Sequence, residues 1–515
     1  MLKNSSEIIH FLFFERNKGY FAPIKQSYDY LCKNNTLKMF DELDDINDGL
    51  ELNDDKATLL ALEKYNEMTS EGKFHFLDSE EYEMVVDHFI SENSLSKAES
   101  AINDALTQYP NQKVAFQLRR AICYASSNRE QKALDILSEI ETIEPENADI
   151  LLTKGAIYSQ LQRFEKAIEE YKKALTDYDE LDEIYYSIAQ EYQNLGQTDK
   201  AIDYLKKSLL SNDGNESALF ELSMVYELSD RSEEGVEFFS HFADKNSMNH
   251  IAWFCLGMSY SNIGLYEKAI QAFDFCIVLD EFFLSAYLNK SNAYNSLGMY
   301  NEAIQNYNES LKIDPDNSYI LYCIGENYLD LSQLDLAEEF LLKALSISDL
   351  LSEAWVSLSA VYEEKDNFPQ AIECLKKAIS LDEESVDFHA YIARLYHLTD
   401  EVQLAISHYD KALKMLPENI DSWFDLAELY YNELEDAKTA MMVLKECLAK
   451  NPLGENEILT RMSIYQFLSG DVQTAELLLL SINDDSFDFM DHVRKYDPNL
   501  LNNVEFCKII ERLNN

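Results

Sequence analysis

The sequence predicts an all-α fold, a solenoid of about twelve helix-turn-helix repeats. Three observations lead to it. Glycine (13) and proline (8) are scarce for 515 residues, so turns are few and connections short. The three tryptophans open similar phrases, Trp253 to Tyr260, Trp355 to Tyr362 and Trp423 to Tyr430, at intervals of 102 and 68 residues, both multiples of 34. A 34-residue frame laid through the chain then places tyrosine at its eleventh position ten times in succession.

The frame starts at 114, 148, 182, 216, 250, 284, 318, 352, 386 and 420, with no insertion between. Position 11 reads Tyr124, Tyr158, Tyr192, Tyr226, Tyr260, Tyr294, Tyr328, Tyr362, Tyr396 and Tyr430. Position 20 reads Ala133, Ala167, Ala201, Gly235, Ala269, Ala303, Ala337, Ala371 and Ala405, with Ala440 one residue late. Pro145, Pro315 and Pro417 stand at position 32, where a helix must stop, and Pro452 follows one late. Weaker units beginning near Ser79 and Asn456 bring the count to twelve. Positions 4, 7, 8 and 11 fall on one face of a first helix, and 20, 24 and 27 on one face of a second. Small residues at 8 and 20 let the two helices approach. Aromatic residues at 11 and 24 are expected to fill the groove between neighbouring repeats.

The W-x2-L-G-x2-Y, A-x3-F, A and P signature at this period resembles the tetratricopeptide repeat family over most of the chain. With the Phe74-His-Phe-Leu-Asp-Ser-Glu-Glu-Tyr82 lead-in, the sequence is similar to long bacterial members of that family. The resemblance implies a right-handed superhelix and a cytosolic adaptor that binds other proteins through peptide or helix segments.

The frame divides the chain into an N-terminal extension (1–78), the repeats (79–483) and a C-terminal capping helix (484–515). Asp41 to Asp55 holds eight acids and no base, and reads as a solvated linker. Ile8 to Met39 is compatible with a capping hairpin or with an extension outside the fold, with Met39 an alternative start. At the far end Leu501, Val504, Ile509 and Leu513 form the apolar stripe expected of a terminal cap. The end caps leave self-association open.

Net charge is −51, from 43 Lys+Arg against 94 Asp+Glu, and no basic stripe interrupts it. Such a surface repels phosphate backbones and anionic membranes, so no nucleic-acid partner is expected. The Ile8–Phe14 apolar run is too short to span a bilayer, and no small-residue cleavage site follows it, so neither membrane insertion nor a secretory leader is expected. The eight cysteines are scattered without a CxxC pair and read as reduced core thiols, consistent with a cytoplasmic location.

No phosphate loop, GxGxxG, GxSxG or HExxH occurs, and the chain reads as a non-enzyme without cofactor. The densest histidine set, His389, His397 and His408, is not expected to converge, and no metal is assigned.

In the family, positions 2, 5, 9 and 12 of each first helix line the concave face. The resemblance therefore implies a peptide-binding groove with Tyr186, Phe220, Phe254, Leu288 and Tyr322 at position 5. Position 9 supplies Gln190, Met224, Met258, Asn292, Glu326 and Arg394. Gln193 and Asn295 at position 12, with Asn289 at position 6, complete it. Apolar rows suit side-chain pockets, and amides suit an extended main chain because they both donate and accept. The other reading of position 5 is packing against the opposite helix of its own hairpin. A clamp for acidic tails needs bases in three successive repeats, and Arg394 is alone. The functional expectation is a protein-interaction scaffold; the alternative is a regulator whose superhelix changes shape around a peptide signal.

Overall fold

The first helix of a repeat begins at the frame start, or within one residue of it, from Lys113 to Ile420. The structure is a computed structural model and describes residues 51–71, 75–176, 181–482 and 489–513. Among them the regular elements are 27 α-helices and three short 3-10 turns. Two compact units divide the chain, one ending at Gly298 and the other beginning at Met299.

The first unit opens with α1 (Glu51–Glu71). Six hairpins follow: α2 (Ser79–Ser91) with α3 (Leu95–Gln108), α4 (Lys113–Ser126) with α5 (Glu130–Glu141), α6 (Ala148–Gln160) with α7 (Phe164–Ala174), α8 (Leu181–Asn194) with α9 (Thr198–Ser211), α10 (Glu216–Leu228) with α11 (Ser232–Lys245), and α12 (His250–Asn262) with α13 (Tyr266–Leu279). Helix α14 (Leu284–Ser296) ends the unit. The second unit begins with α15 (Tyr300–Ser310). Its hairpins are α16 (Ser318–Asp330) with α17 (Leu334–Ile347), α18 (Ser352–Glu364) with α19 (Phe368–Leu381), α20 (Val386–Leu398) with α21 (Val402–Met415), α22 (Ile420–Asn432) with α23 (Ala437–Lys450), and α24 (Glu455–Leu468) with α25 (Val472–Leu480). Helices α26 (Phe489–Tyr496) and α27 (Val504–Leu513) close it.

Three residues join the two helices of most hairpins. The middle one has positive φ at Asn128, Gln162, Gly196, Asp230, Gly264, Ser332, Asp366 and Asp400, all at frame position 15. That conformation lets the N–H of the next residue reach back to the carbonyl of the position-11 tyrosine, at 2.8–2.9 Å for Tyr124, Tyr158, Tyr192, Tyr226, Tyr260, Tyr328, Tyr362 and Tyr396. It is a Schellman closure, and it explains why position 11 cannot drift relative to the turn. At the other end, Asn147, Asn215, Asn249, Asn317 and Asn419 cap first helices by accepting from the third helical N–H. This asparagine column was not anticipated.

Alanines of position 20 are fully buried in both units. Position 24 differs from expectation. A Cβ on Gly155, Gly257 or Gly325 would stand 2.3 Å from Tyr171, 2.4 Å from Phe273 or 2.7 Å from Leu341. Each partner is position 24 of the same repeat, so this side chain lies on the position-8 glycine of its own hairpin. The position-11 rings are mostly half-buried, and Lys132, Lys166, Lys200 and Lys268 at position 19 sit 5.1–6.0 Å from the ring centroids. Tryptophans at position 4 fasten the turn between repeats: Trp253, Trp355 and Trp423 donate from Nε1 to the carbonyls of Ser247, Asp349 and Pro417 at 2.9–3.0 Å.

The ends correct two expectations. Residues 51–55, read as linker, belong to helix α1. Ala61, Leu62 and Tyr65 bury the helix against the first hairpin, and the Tyr65 hydroxyl donates to Asp104 at 3.1 Å. At the C-terminus two helices stand where one was expected. Leu500, Phe506 and Ile509 form the inward face, while Val504 is 70% exposed. Residues 1–50, with the hairpin reading of Ile8–Met39, lie outside the described residues, as does the 483/484 boundary.

Gly257→Ala is expected to lower stability by about 1–3 kcal/mol, since the Phe273 ring must leave its rotamer. Gln162→Gly should raise stability by about 0.5–1 kcal/mol by relieving the left-handed backbone (φ 56°). Thermal melts of the two variants should move in opposite directions.

Candidate peptide-binding site

Positions 5, 9 and 12 are three or four residues apart and so share one side of each first helix. In the first unit Tyr186 and Phe220 are half-buried, Gln190 is exposed, and Gln193, Met224, Asn292 and Asn295 are partly exposed. Phe254, Met258, Leu288 and Asn289 are buried, which corrects their reading as groove-lining residues. The cause is local packing. The Phe254 ring meets Phe220, Phe273 and Phe283 at centroid distances of 5.2–5.9 Å. Asn289 Nδ2 is turned back to the Ser285 carbonyl at 2.9 Å.

Position 12 reads Gln193, Glu227, Ser261 and Asn295 in four consecutive repeats. Ser261 Oγ and Asn295 Oδ1 are buried without a hydrogen-bond partner among the described residues, while Gln193 Nε2 faces the Glu221 carboxylate. Each such atom costs roughly 1–3 kcal/mol until something bonds to it. Glu227, near Asn262, and Glu221, beside Gln193 and Tyr186, complete the strip. Burial pushes both carboxyls above the usual range, and it lifts the Tyr186 hydroxyl to about 12. Glu227 stands at position 12, a lining position of the frame; the sequence reading missed Glu221, because nothing separates it from the other acids of so acidic a chain.

In the second unit Tyr322 is half-buried, with Glu326 and Ser357 beside it, and burial raises the Glu326 carboxyl. Arg394 is exposed and is held elsewhere: its guanidinium makes a bidentate bond to Glu363 at 2.8 and 2.9 Å and stacks 4.9 Å from the Tyr391 centroid. Its charge is therefore already matched.

The histidines also depart from expectation. His389 and His408 do meet, with Nδ1 atoms 2.9 Å apart, while His397 lies 3.7 Å from Glu433. His389 occupies the tryptophan column, and its Nε2 sits 3.3 Å from the Glu383 carbonyl. With Nε2–H donating there, Nδ1 of His389 accepts and Nδ1–H of His408 donates, a tautomer assignment set by the bonds. Burial first, then His389, Lys411 and Lys376, hold His408 down to about 4; burial likewise lowers His389. Among the described residues no three His, Cys, Asp or Glu form a metal-binding group. No helix among them is long and apolar enough to cross a membrane.

A stack of two-helix repeats with an unfilled strip on its first helices defines a helical repeat scaffold for protein interaction. Family profiles described as tetratricopeptide repeat match residues 148–176, 182–215, 251–281 and 361–420, and one described as TPR repeat matches 292–332. The chain is a tetratricopeptide repeat protein. No curated protein matches it. Solved structures that resemble it include the APC/C hetero-tetramer Cut9-Hcn1, at 15% identity and TM-score 0.37 over 85% of this chain and 98% of that one. PilF of Pseudomonas aeruginosa shares 20% identity at TM-score 0.36, over 42% of this chain and 97% of its own. YrrB, described as a TPR protein with an unusual peptide-binding site, shares 21% identity at TM-score 0.30, over 36% and 96%.

The histidine pair makes stability depend on pH. A folded-state pKa below the unfolded value leaves stability intact above about 6.5 and removes it as pH falls towards 4. Replacing the pair with residues other repeats use there, His389→Trp with His408→Phe, should abolish this loss. Between pH 7 and 5 the wild type should lose about 1–2 kcal/mol more than the variant, read from melting curves.

Proposed function

We propose that the chain is an adaptor that binds an extended peptide segment of another protein along the first helices α8, α10 and α12. The observation behind this is the position-12 row, where buried amide and hydroxyl atoms without partners run beside the half-buried rings of Tyr186 and Phe220. A peptide main chain supplies one donor and one acceptor per residue, the complement such a row needs. The rings give side chains an apolar seat, and Met224 adjusts to their shape. Binding of this kind needs no chemistry from the protein, and the role assigned is to hold a partner.

The test is affinity capture from native extract with the full chain, compared with a Tyr186→Ala, Phe220→Ala, Met224→Ala variant. Tyr186 and Phe220 also pack against the core, so the variant should melt lower, and the capture is run at a temperature where both proteins are fully folded by circular dichroism. Retention of the captured partner should drop at least about tenfold, as for central anchors of an interface. Equal retention by an equally folded variant would move binding off this face.

A further inference from the structure

Helix α10 carries two carboxylates, Glu227 at position 12 of the strip just described and Glu221 at position 6 against Gln193 and Tyr186 of the preceding repeat, and neither forms an ion pair among the described residues. Among the described residues no Lys, Arg or His forms an ion pair with Glu221 or Glu227; their neighbours are Gln193, Tyr186 and Asn262. Elsewhere the chain does pair such groups. Glu363, at the same position 12 as Glu227, is met by Arg394 through two bonds. The two unpaired acids are only partly exposed, so they have given up some water without receiving a cation.

Resting on the groove reading above, we infer that the segment held along α10 is basic, carrying two Lys or Arg side chains that pair with Glu221 and Glu227. The spacing follows from the helix. Six residues at 1.5 Å rise and 3.6 per turn put the two Cα atoms about 9 Å apart along the axis and about 120° apart around it, so the two carboxylates reach the segment from its two sides. An extended chain covers that distance in two or three residues. Tyr186 and Phe220 border the same strip, and their ring faces suit an ammonium or guanidinium once it is partly desolvated. The acidic surface as a whole, −51 in net charge, draws such a segment in at long range. Glu221 and Glu227 then fix its register at short range.

The experiment is selection of short random peptides displayed against the full-length protein. The selected pool should be enriched in pairs of Lys or Arg two or three residues apart. A synthetic member should bind at least about tenfold more weakly to a Glu221→Gln, Glu227→Gln variant, and more weakly to wild type as salt rises. The glutamines keep shape and hydrogen bonding, so a matching melting curve isolates the charge. A pool without basic enrichment that is lost with Tyr186→Ala, Phe220→Ala overturns this inference and leaves the groove reading standing. A pool unaffected by those alanines, or no pool at all, overturns both.

Discussion

A three-residue turn with its middle residue in the left-handed region joins the two helices of most repeats, and that turn leaves no slack. Helices tied so tightly can pack only if small side chains face each other near the turn. Ala at position 20 and Gly or another small residue at position 8 follow from that requirement, as does the ring or leucine of position 24 lying on the glycine of its own hairpin. Because each hairpin is closed by its own turn, a repeat needs only its neighbours to bury the remaining faces. The packing columns absorb the sequence constraint. Positions 5, 9 and 12 are thereby released, and what they carry differs from one repeat to the next.

That freedom is used unevenly. In the first unit the strip carries amides, hydroxyls and two carboxylates without counter-charges; in the second, Glu363 and Arg394 cancel each other. The His389–His408 pair shows the opposite case, a packing column taken over by polar groups. There the imidazole keeps the tryptophan's bond to the inter-repeat turn and adds a second to its own hairpin. The cost appears as proton linkage rather than as lost packing.

The fold was legible because its period is strict: first helices begin at the frame positions, and tyrosine and alanine fill the columns assigned to them. The asparagine caps stood at a fixed frame position and went unread, because attention to small and aromatic columns hides a polar one. Helix α1 was masked by its own acids, which match a linker in composition, while Ala61, Leu62 and Tyr65 supply the buried face. The site was less legible. Spacing gives the direction of a side chain but not its depth, so Phe254 and Leu288 could be placed on the right side of their helices yet sit beneath the surface. Depth depends on the size of neighbours such as Phe273 and Phe283, which no single column records.

The cysteines offer a use that has nothing to do with partner binding. Cys123, Cys255, Cys276, Cys323, Cys374 and Cys447 are free, buried and distributed over five repeats. Burial pushes their thiols up, to about 11 for Cys123 and about 12 for Cys276, Cys374 and Cys447. In the closed repeat each thiol is therefore both shielded and protonated, and it becomes a nucleophile only while its own helices are apart. The rate at which an alkylating reagent marks each cysteine then counts how often that repeat opens. The protein carries its own map of local breathing, written in sulfur and readable by mass spectrometry without any change to its sequence.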